Sequence, residues 1–309
     1  MFFDAHCDSI SVALDKKISI CDKSLSFNLE DAILNLPYIQ ALATFVNPKY
    51  KDGFKRANDI LDKFYKEYEK NNDKMFIIKN ACDMHDMQKN NEKVGILLTI
   101  ENGSAINTEL KNVEKLYNRG IRVMSVTWND DNSLGCGALT KNDTGLTMLG
   151  KEYIKTLNEK NIVVDVSHAS QKTFYDIIDL SQNVIATHSC SKHICNHPRN
   201  LTDDQIKKIA RLGGVIGICF YKGFLSENEE VSSDDIIKHI MHIIELVGID
   251  YVGLGSDFDG MEKKFYPKDI KNVNDMKIII EKLNKEGLND KQIEQITGEN
   301  FFRYIKQKI

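Results

Sequence analysis

The sequence lacks the signals that mark membrane, secreted and nucleic-acid-binding proteins. No apolar run approaches the roughly eighteen residues of a membrane-spanning helix, and no basic region with an apolar core opens the chain. The formal net charge is only −4, and Lys and Arg are scattered without a polybasic run, which disfavours nucleic-acid binding. We therefore expect a cytoplasmic protein that binds neither a membrane nor a nucleic acid.

Proline is scarce, and three familiar catalytic signatures are missing. Proline occurs only four times in 309 residues, and no linker, repeat or low-complexity segment divides the chain, so we expect one domain over residues 1–309. GxSxG and Walker motifs are absent. Gly253 and Gly255 begin a dinucleotide-binding pattern, but Phe258 stands where its third glycine belongs. The pattern therefore fails as a dinucleotide site.

The cysteines do not indicate a disulfide framework. There are seven, an odd number, scattered over a long chain. Cys7 and Cys219 fall within apolar runs, where a free thiol serves as a small core residue. Without a secretion signal we expect all seven to be reduced.

Two histidine-containing stretches resemble metal motifs only superficially. Between residues 190 and 197, two cysteines and two histidines interleave, without the two separated pairs of a zinc finger. We interpret this stretch as the loop after the sixth strand. His239 and His242 lie three apart in a helical pattern that lacks the glutamate of HExxH, and we place them on an outer helix.

Eight short apolar runs alternate with helical patterns along the chain. Most of the runs are continuous rather than alternating in polarity, as expected for parallel strands covered on both faces. Eight strands alternating with helices predict an α/β fold, a single (β/α)8 TIM barrel. A doubly wound open sheet is the alternative. The predicted strands are Phe2–Cys7, Ala41–Val46, Val94–Glu101, Ile121–Trp128, Ile162–His168, Val184–Ser189, Gly214–Phe220 and Tyr251–Phe258.

Helical patterns fill the gaps between these runs. Ser232 is a predicted N-cap for a helix that Gly248 ends. The charged segment Lys49–Lys74 predicts a long solvent-facing helix, and Lys268–Ile309 predicts a C-terminal helical extension. The other predicted helices are Asn107–Asn118, Leu146–Asn161, Ser170–Leu180 and Thr202–Leu212.

Metal-ligating side chains recur where the predicted strands end. His6 and Asp8 are alternate residues, so they share one face of the first strand. Active sites of such barrels form at the C-terminal ends of the strands, and an imidazole with a carboxylate there can bind zinc. Each residue alone is equally explained as a polar group at the rim or in a turn. Their recurrence favours one site, whose candidates are His6, Asp8, Glu101, His168, His188 and Asp257.

Five ligands exceed the need of one zinc ion but suit two ions that share a carboxylate. We expect His6 and Asp8 to bind one ion and His168 and His188 to bind the other. Glu101 would then be the shared ligand. Two such ions can hold a bridging hydroxide and polarise a carbonyl group.

Asp257 is left over once the metal ligands are assigned. A carboxylate beside the attacking water can take its proton and return it to a leaving amine. We therefore expect Asp257 and Glu101 to be the catalytic residues of a hydrolase.

Seven short motifs carry a resemblance that covers nearly the whole chain. They are DAHCD at 4–8, ENGS at 101–104, DVSH at 165–168, THS at 187–189, PRN at 198–200, GSDFDG at 255–260 and GENF at 298–301. In this order they resemble the membrane (renal-type) dipeptidase family of zinc peptidases. The resemblance implies a (β/α)8 barrel with two zinc ions that hydrolyses dipeptides and tolerates a D-residue at the C-terminal position.

The resemblance also implies roles for residues that bind the substrate. Arg199 would bind the substrate carboxylate, Asp257 would contact the bridging water and the substrate amine, and Tyr221 would line the site. Animal members carry a histidine at the end of the fourth strand, where Trp128 stands here. Because an indole cannot accept a proton or carry a charge, either Trp128 or Asn129 supplies the hydrogen-bond donor, or the substrate differs.

Several alternatives stay open at this point. Another amidohydrolase, acting on a cyclic amide, a lactone or an acylated D-amino acid, fits the same ligands. A catalytically lapsed metal- or peptide-binding protein also fits. The ligand set accepts manganese or cobalt as well as zinc. A homodimer is expected only from the resemblance, and membrane attachment is not expected to carry over.

Overall fold

Parallel strands form a ring at the centre of the computed structural model, which describes residues 1–89 and 92–309. Hydrogen bonding follows the order β7-β6-β5-β4-β2-β1-β9-β8, and a parallel bridge between Ala186 and Ile216 links the two ends. The (β/α)8 barrel is therefore confirmed. Over the described residues the strands are β1 (Phe2–Cys7), β2 (Tyr38–Phe45), β3 (Met75–Ile77), β4 (Val94–Glu101), β5 (Ile121–Ser125), β6 (Val163–Asp165), β7 (Val184–Ile185), β8 (Ile216–Ile218) and β9 (Val252–Leu254).

Strand β3 was not predicted, and several predicted strands are too long. β3 has three residues and pairs with β4 alone, outside the ring. β6 ends at Asp165 rather than His168, because His168 has a positive φ of 71° that breaks the extended backbone. β9 ends at Leu254, and Asp257 likewise has a positive φ of 60°. Side chains at these strand ends therefore project from turns.

Helices surround the ring, and the predicted ones are present with slightly shorter bounds. The helix from Ser233 has a capping box in which Ser232 and Asp235 satisfy each other's backbone N–H groups, and it ends before Gly248 as predicted. The helices are α1 (Ser9–Lys16), α2 (Leu29–Ile33), α3 (Gly53–Lys70), α4 (Ala81–Lys89), α5 (Lys111–Asn118), α6 (Met148–Glu159), α7 (Gln171–Leu180), α8 (Asp203–Arg211), α9 (Lys222–Leu225), α10 (Ser233–Val247), α11 (Met276–Lys285), α12 (Asp290–Glu294) and α13 (Asn300–Lys308). None of the helices in this described part of the chain is both long and apolar enough to cross a membrane.

The charged helix α3 is solvent-facing on one side only. Its other side buries Ala57, Ile60, Leu61 and Phe64 against the core. The prediction from the charge run missed this apolar stripe, whose residues recur at helical spacing.

The C-terminal extension closes one end of the barrel. Phe301, Phe302 and Tyr304 of α13 pack in one cluster with inward-facing strand residues such as Phe3 and Val163. The Tyr304 hydroxyl donates to the Val184 carbonyl at the start of β7. Because α13 covers the end where strands begin, the opposite end, where the strands stop, is left for the functional site.

His239 lies on the outer helix α10 as predicted, and it is fully buried. Its Nδ1 accepts from the Ser191 N–H at 3.0 Å, and its Nε2 donates to the Leu225 carbonyl at 3.0 Å. Burial lowers the pKa of His239 to about 4. One neutral imidazole thus ties α10 to the segment after β7 and to α9.

Acidification is expected to destabilise the protein through His239. The unfolded imidazole takes up a proton near pH 6.5 and the folded one only near pH 4, so unfolding is favoured as the pH falls between these values. The free energy of unfolding should drop by about 3 kcal/mol more in the wild type than in His239→Gln. Denaturant titrations at pH 7 and pH 4 measure this difference. Parallel pH curves for the two proteins would contradict it.

Candidate metal centre

The six predicted side chains meet at the C-terminal end of the barrel. They come from β1 and its following turn, from the end of β4, and from the turns after β6, β7 and β9. All are buried except Asp257, which is partly exposed. The backbone of Gly260 lies directly against the carboxylates of Asp257 and Asp8, because glycine has no Cβ to collide with them. The six are His6, Asp8, Glu101, His168, His188 and Asp257.

Three of them form a first group around the His6 imidazole. His6 Nε2 lies 3.4 Å from Glu101 Oε2, 3.7 Å from Asp8 Oδ2 and 3.9 Å from Asp257 Oδ1. Donor atoms of His6, Asp8 and Glu101 all lie within 4.8 Å of one another. This spacing suits a single cation held by one nitrogen and two oxygens.

A second group forms on the other oxygen of Glu101. Its Oε1 lies 2.9 Å from His168 Nε2 and 3.9 Å from His188 Nε2. The two Nε2 atoms are 2.8 Å apart. Glu101 therefore presents one oxygen to each group, which is the arrangement expected of a shared ligand.

Hydrogen bonds fix which nitrogen of each imidazole carries a proton. His168 Nδ1 donates to Asn129 Oδ1 at 2.8 Å. His188 Nδ1 donates to Thr187 Oγ1 at 2.8 Å, since the Thr187 hydroxyl itself donates to Asp165 Oδ2 at 2.6 Å. Each Nε2 atom therefore carries a lone pair. The two lone pairs face each other, and a cation bound between them would relieve their repulsion.

Unpartnered atoms in the first group also fit a cation. Within residues 1–89 and 92–309, His6 Nε2 and Asp8 Oδ1 are buried without a hydrogen-bond partner. Such atoms are costly in a protein interior unless something satisfies them. Imidazole and carboxylate donors suit zinc and neighbouring divalent metals. The residues present therefore fit a pair of divalent cations.

The centre gathers negative charge in a buried space. Burial raises the pKa of Asp8 to about 6 and that of Asp257 to about 8, and the charge of Glu101 contributes to both. Burial opposes ionisation of Glu101 as well, but the adjacent imidazoles of His168 and His6 hold its pKa below the usual value. Burial lowers the pKa of His188 well below its ordinary value. Three carboxyl groups that lie close together in a buried space favour the binding of cations.

The predicted substrate residues line a cavity of about 240 Å³ that opens beside these groups. Arg199 is buried, its Nη2 donates to the His188 carbonyl at 3.3 Å, and its Nε has no hydrogen-bond partner among the described residues. Tyr221 and Trp128 also line the cavity, and the Trp128 ring lies 5.4 Å from that of Phe45. Asn129 lines it too, although its side-chain oxygen is bonded to His168. A buried cation and an aromatic wall thus face one small space.

The stretch between residues 190 and 197 forms a loop, as interpreted from the sequence. Cys190 donates to the Cys219 carbonyl, and Cys195 donates to the Gly223 carbonyl. Over the residues that the structure describes, neither cysteine belongs to a group that could hold a metal, and all seven cysteines are free. His193 instead faces His242 on α10.

Sequence reasoning missed Thr187 and Asp165. Thr187 Oγ1 lies 2.8 Å from His188 Nδ1 and 3.4 Å from His6 Nδ1, so one hydroxyl contacts an imidazole of each group. Asp165 also accepts the Thr187 and Ser167 N–H groups. Both residues lie within the DVSH and THS motifs, and their positions close to His168 and His188 in the sequence are the signal that could have identified them.

Thr187→Val is expected to weaken the centre, because valine keeps the shape but removes the hydroxyl that orients His188. Partners of this kind contribute about 10–100-fold to metal affinity or activity. Zinc titration tests the loss of metal affinity, and kcat measurements test the loss of activity. Thr187→Ser should largely restore both values. Wild-type affinity in Thr187→Val would contradict this role.

A family comparison decides where the chain belongs. The model of the membrane dipeptidases, peptidase family M19, matches residues 1–308. The chain belongs to this family. The resemblance inferred from the seven motifs is thereby confirmed.

Curated relatives of this M19 chain match it over much of its length. A protein of Schizosaccharomyces pombe named as a dipeptidase is 33% identical over 245 residues, which are 77% of this chain. The match spans 58% of the yeast protein, less than two thirds of its length. A Klebsiella pneumoniae protein from the pqqA 5′ region is 32% identical over 218 residues, 67% of this chain and 79% of that protein.

Solved structures share the M19 chain's fold. A Rhodobacter sphaeroides metallopeptidase, bound to a phosphinate mimic of L-Ala-D-Ala, superposes with a TM-score of 0.91 at 21% identity, covering 100% of this chain and 99% of its own. The M19 dipeptidase AC superposes with a TM-score of 0.91 at 22% identity, covering 99% and 98%. At such identities the likeness establishes the barrel fold alone.

Proposed function

We propose that the protein is a metal-dependent dipeptidase. The observation that carries the proposal is Glu101, whose two oxygens face two separate ligand groups beside a cavity with a buried arginine. Membership of the membrane dipeptidase family supports it. The dipeptide mimic bound by the Rhodobacter sphaeroides metallopeptidase suggests the same substrate class.

One ion would be held by His6 and Asp8, and the second ion would be held by His168 and His188. Glu101 would be a ligand of both ions. Two bound divalent cations supply a polarised carbonyl group and a water molecule acidic enough to act as hydroxide. Zinc is proposed because imidazole and carboxylate ligands suit it. Metal analysis after loading with zinc, manganese or cobalt tests both the number and the identity of the ions.

Asp257 would move the proton during hydrolysis. Its Oδ1 lies 3.9 Å from His6 Nε2, at the edge of the first ligand group and on the cavity wall. A carboxylate there can accept the proton of the attacking water and pass it to the departing amine. It can also bind the substrate ammonium group while that group is charged.

Arg199 would select substrates that end in a carboxylate near the scissile bond. Its guanidinium is buried and always charged, and its Nε has no hydrogen-bond partner in the described part of the chain. A planar fork of this kind suits a carboxylate. The cavity of about 240 Å³ beside Arg199 is small, which supports a short substrate. Trp128, Asn129 and Tyr221 would contact the substrate, and a D-residue at its C-terminal position is part of the proposal.

Four broader expectations accompany this function. We propose one domain over residues 1–309 and a cytoplasmic location, which the seven free cysteines support. A homodimer remains a prediction that sedimentation can test. Neither a membrane nor a nucleic acid is proposed as a partner.

The deciding experiment is hydrolysis of L-L and L-D dipeptides, with free or amidated C-termini, by metal-loaded and chelated protein. We expect cleavage of free dipeptides only, and only with metal. Arg199→Ala should raise KM by roughly 30-fold or more, as expected for removing one partner of a buried charge pair. Arg211→Ala is the matched control, because Arg211 is an exposed arginine on α8.

Two results would redirect the proposal. Two bound ions without cleavage of any dipeptide would favour a binding protein. Activity on cyclic amides, lactones or acylated amino acids that Arg199→Ala leaves unchanged would favour another amidohydrolase.

A further inference from the structure

A second group of metal-ligating side chains lies on the outside of the barrel. It consists of His193 in the loop after β7, Asp203 at the start of α8 and His242 on α10. One donor atom from each lies within 4.8 Å of the other two. His242 Nε2 is 2.9 Å from Asp203 Oδ1, and the two imidazole rings stack with centroids 4.6 Å apart.

His193 adds a second imidazole to the pair that His242 forms with Asp203. The His193 ring stacks on the His242 ring with an angle of 8° between the two planes. Imidazole nitrogens and a carboxylate oxygen are all metal ligands, so the three side chains can share one cation.

The surroundings also favour a cation. His193 and His242 line a surface notch of about 350 Å³ together with Glu245 and Lys207. Glu245 lies one helical turn after His242, so its carboxylate can provide a fourth ligand or hold a water molecule. Among the residues that line the notch, the carboxylate of Glu245 offsets the charge of Lys207.

We propose that His193, Asp203 and His242 form an additional site for a divalent cation of the zinc type, separate from the barrel centre. Two imidazoles and one carboxylate are ligands that zinc accepts, with the fourth position left for Glu245 or water. The bound ion cross-links the loop after β7 to α8 and α10. The same loop carries Arg199, but none of the three proposed ligands lines the cavity beside the barrel centre.

The test counts zinc ions per chain in full-length protein after loading and dialysis. Wild type should retain one more ion than His193→Asn or His242→Gln, and zinc should raise the thermal midpoint of wild type more than that of the variants. Loss of one ligand should lower the affinity for this ion at least about 10–100-fold, the range known for outer partners of metal ligands. Dipeptide kcat should be unchanged in both variants.

His85→Asn is the matched control, because His85 is an exposed histidine on α4 outside every metal group of the described residues. Equal zinc content and equal thermal shifts in wild type, control and both variants would overturn the proposal. His193 lies in an exposed loop, so its replacement should leave folding intact even if His242→Gln does not. Failure of the proposed dipeptidase activity would be seen separately, as absent hydrolysis by protein that still binds the extra ion.

Discussion

Glu101→Gln is expected to lower kcat for dipeptide hydrolysis about 1,000-fold or more and to reduce the number of tightly bound metal ions. Glutamine has one oxygen instead of two equivalent ones, and it lacks the charge that both ligand groups share. Loss of several kcal/mol of charge stabilisation corresponds to at least this factor. Steady-state kinetics with metal analysis of the purified variant measures both effects.

Glu159→Gln is the control for this substitution, because Glu159 is exposed at the end of α6. It should behave as wild type. Two tightly bound ions and near-normal kcat in Glu101→Gln would show that the two ligand groups do not depend on a shared carboxylate.

Asp257→Asn is expected to lower kcat by about 100–10,000-fold while both metal ions remain bound. The amide keeps the size of the side chain but cannot accept the proton of the attacking water. The factor is the usual contribution of a positioned acid or base. Intact metal content separates this effect from that of Glu101→Gln.

Asp179→Asn, an exposed change on α7, controls for the loss of one negative charge. Should Asp257→Asn keep kcat within a few-fold of wild type, another group must carry the proton. A large rise in KM with unchanged kcat would instead assign Asp257 to binding of the substrate amine alone.

The barrel was predictable because its strands lie within continuous apolar runs that alternate with helical patterns. The metal-ligating side chains were predictable for a related reason, since each follows such a run closely and the ends of parallel strands meet on one face. The structure brings His6, Glu101 and His168 together from strands far apart in the sequence. The apolar periodicity and the position of each polar residue after a strand were sufficient to predict this grouping of ligands.

Other features depend on information that periodicity does not contain. The three residues of β3 are too few to show a strand pattern. Thr187 acts through the direction of its hydroxyl, which is fixed only once Asp165 and His188 are placed. Asn129 lines the cavity, and its oxygen also accepts a hydrogen bond from His168 Nδ1, a contact that the sequence does not reveal. The turns at His168 and Asp257 require positive φ values that residue type does not reveal.

The closure of the ring by β1 has a consequence for biosynthesis. β1 is made long before β9, so their pairing must wait until the residues through Leu254 have left the ribosome. During that interval one edge of β1 is uncovered, and an uncovered strand edge invites pairing with other chains. The same delay keeps His6 apart from Asp257, which follows β9, so a nascent chain cannot complete this centre early. A chaperone that shields β1 during this interval would protect the most vulnerable stage.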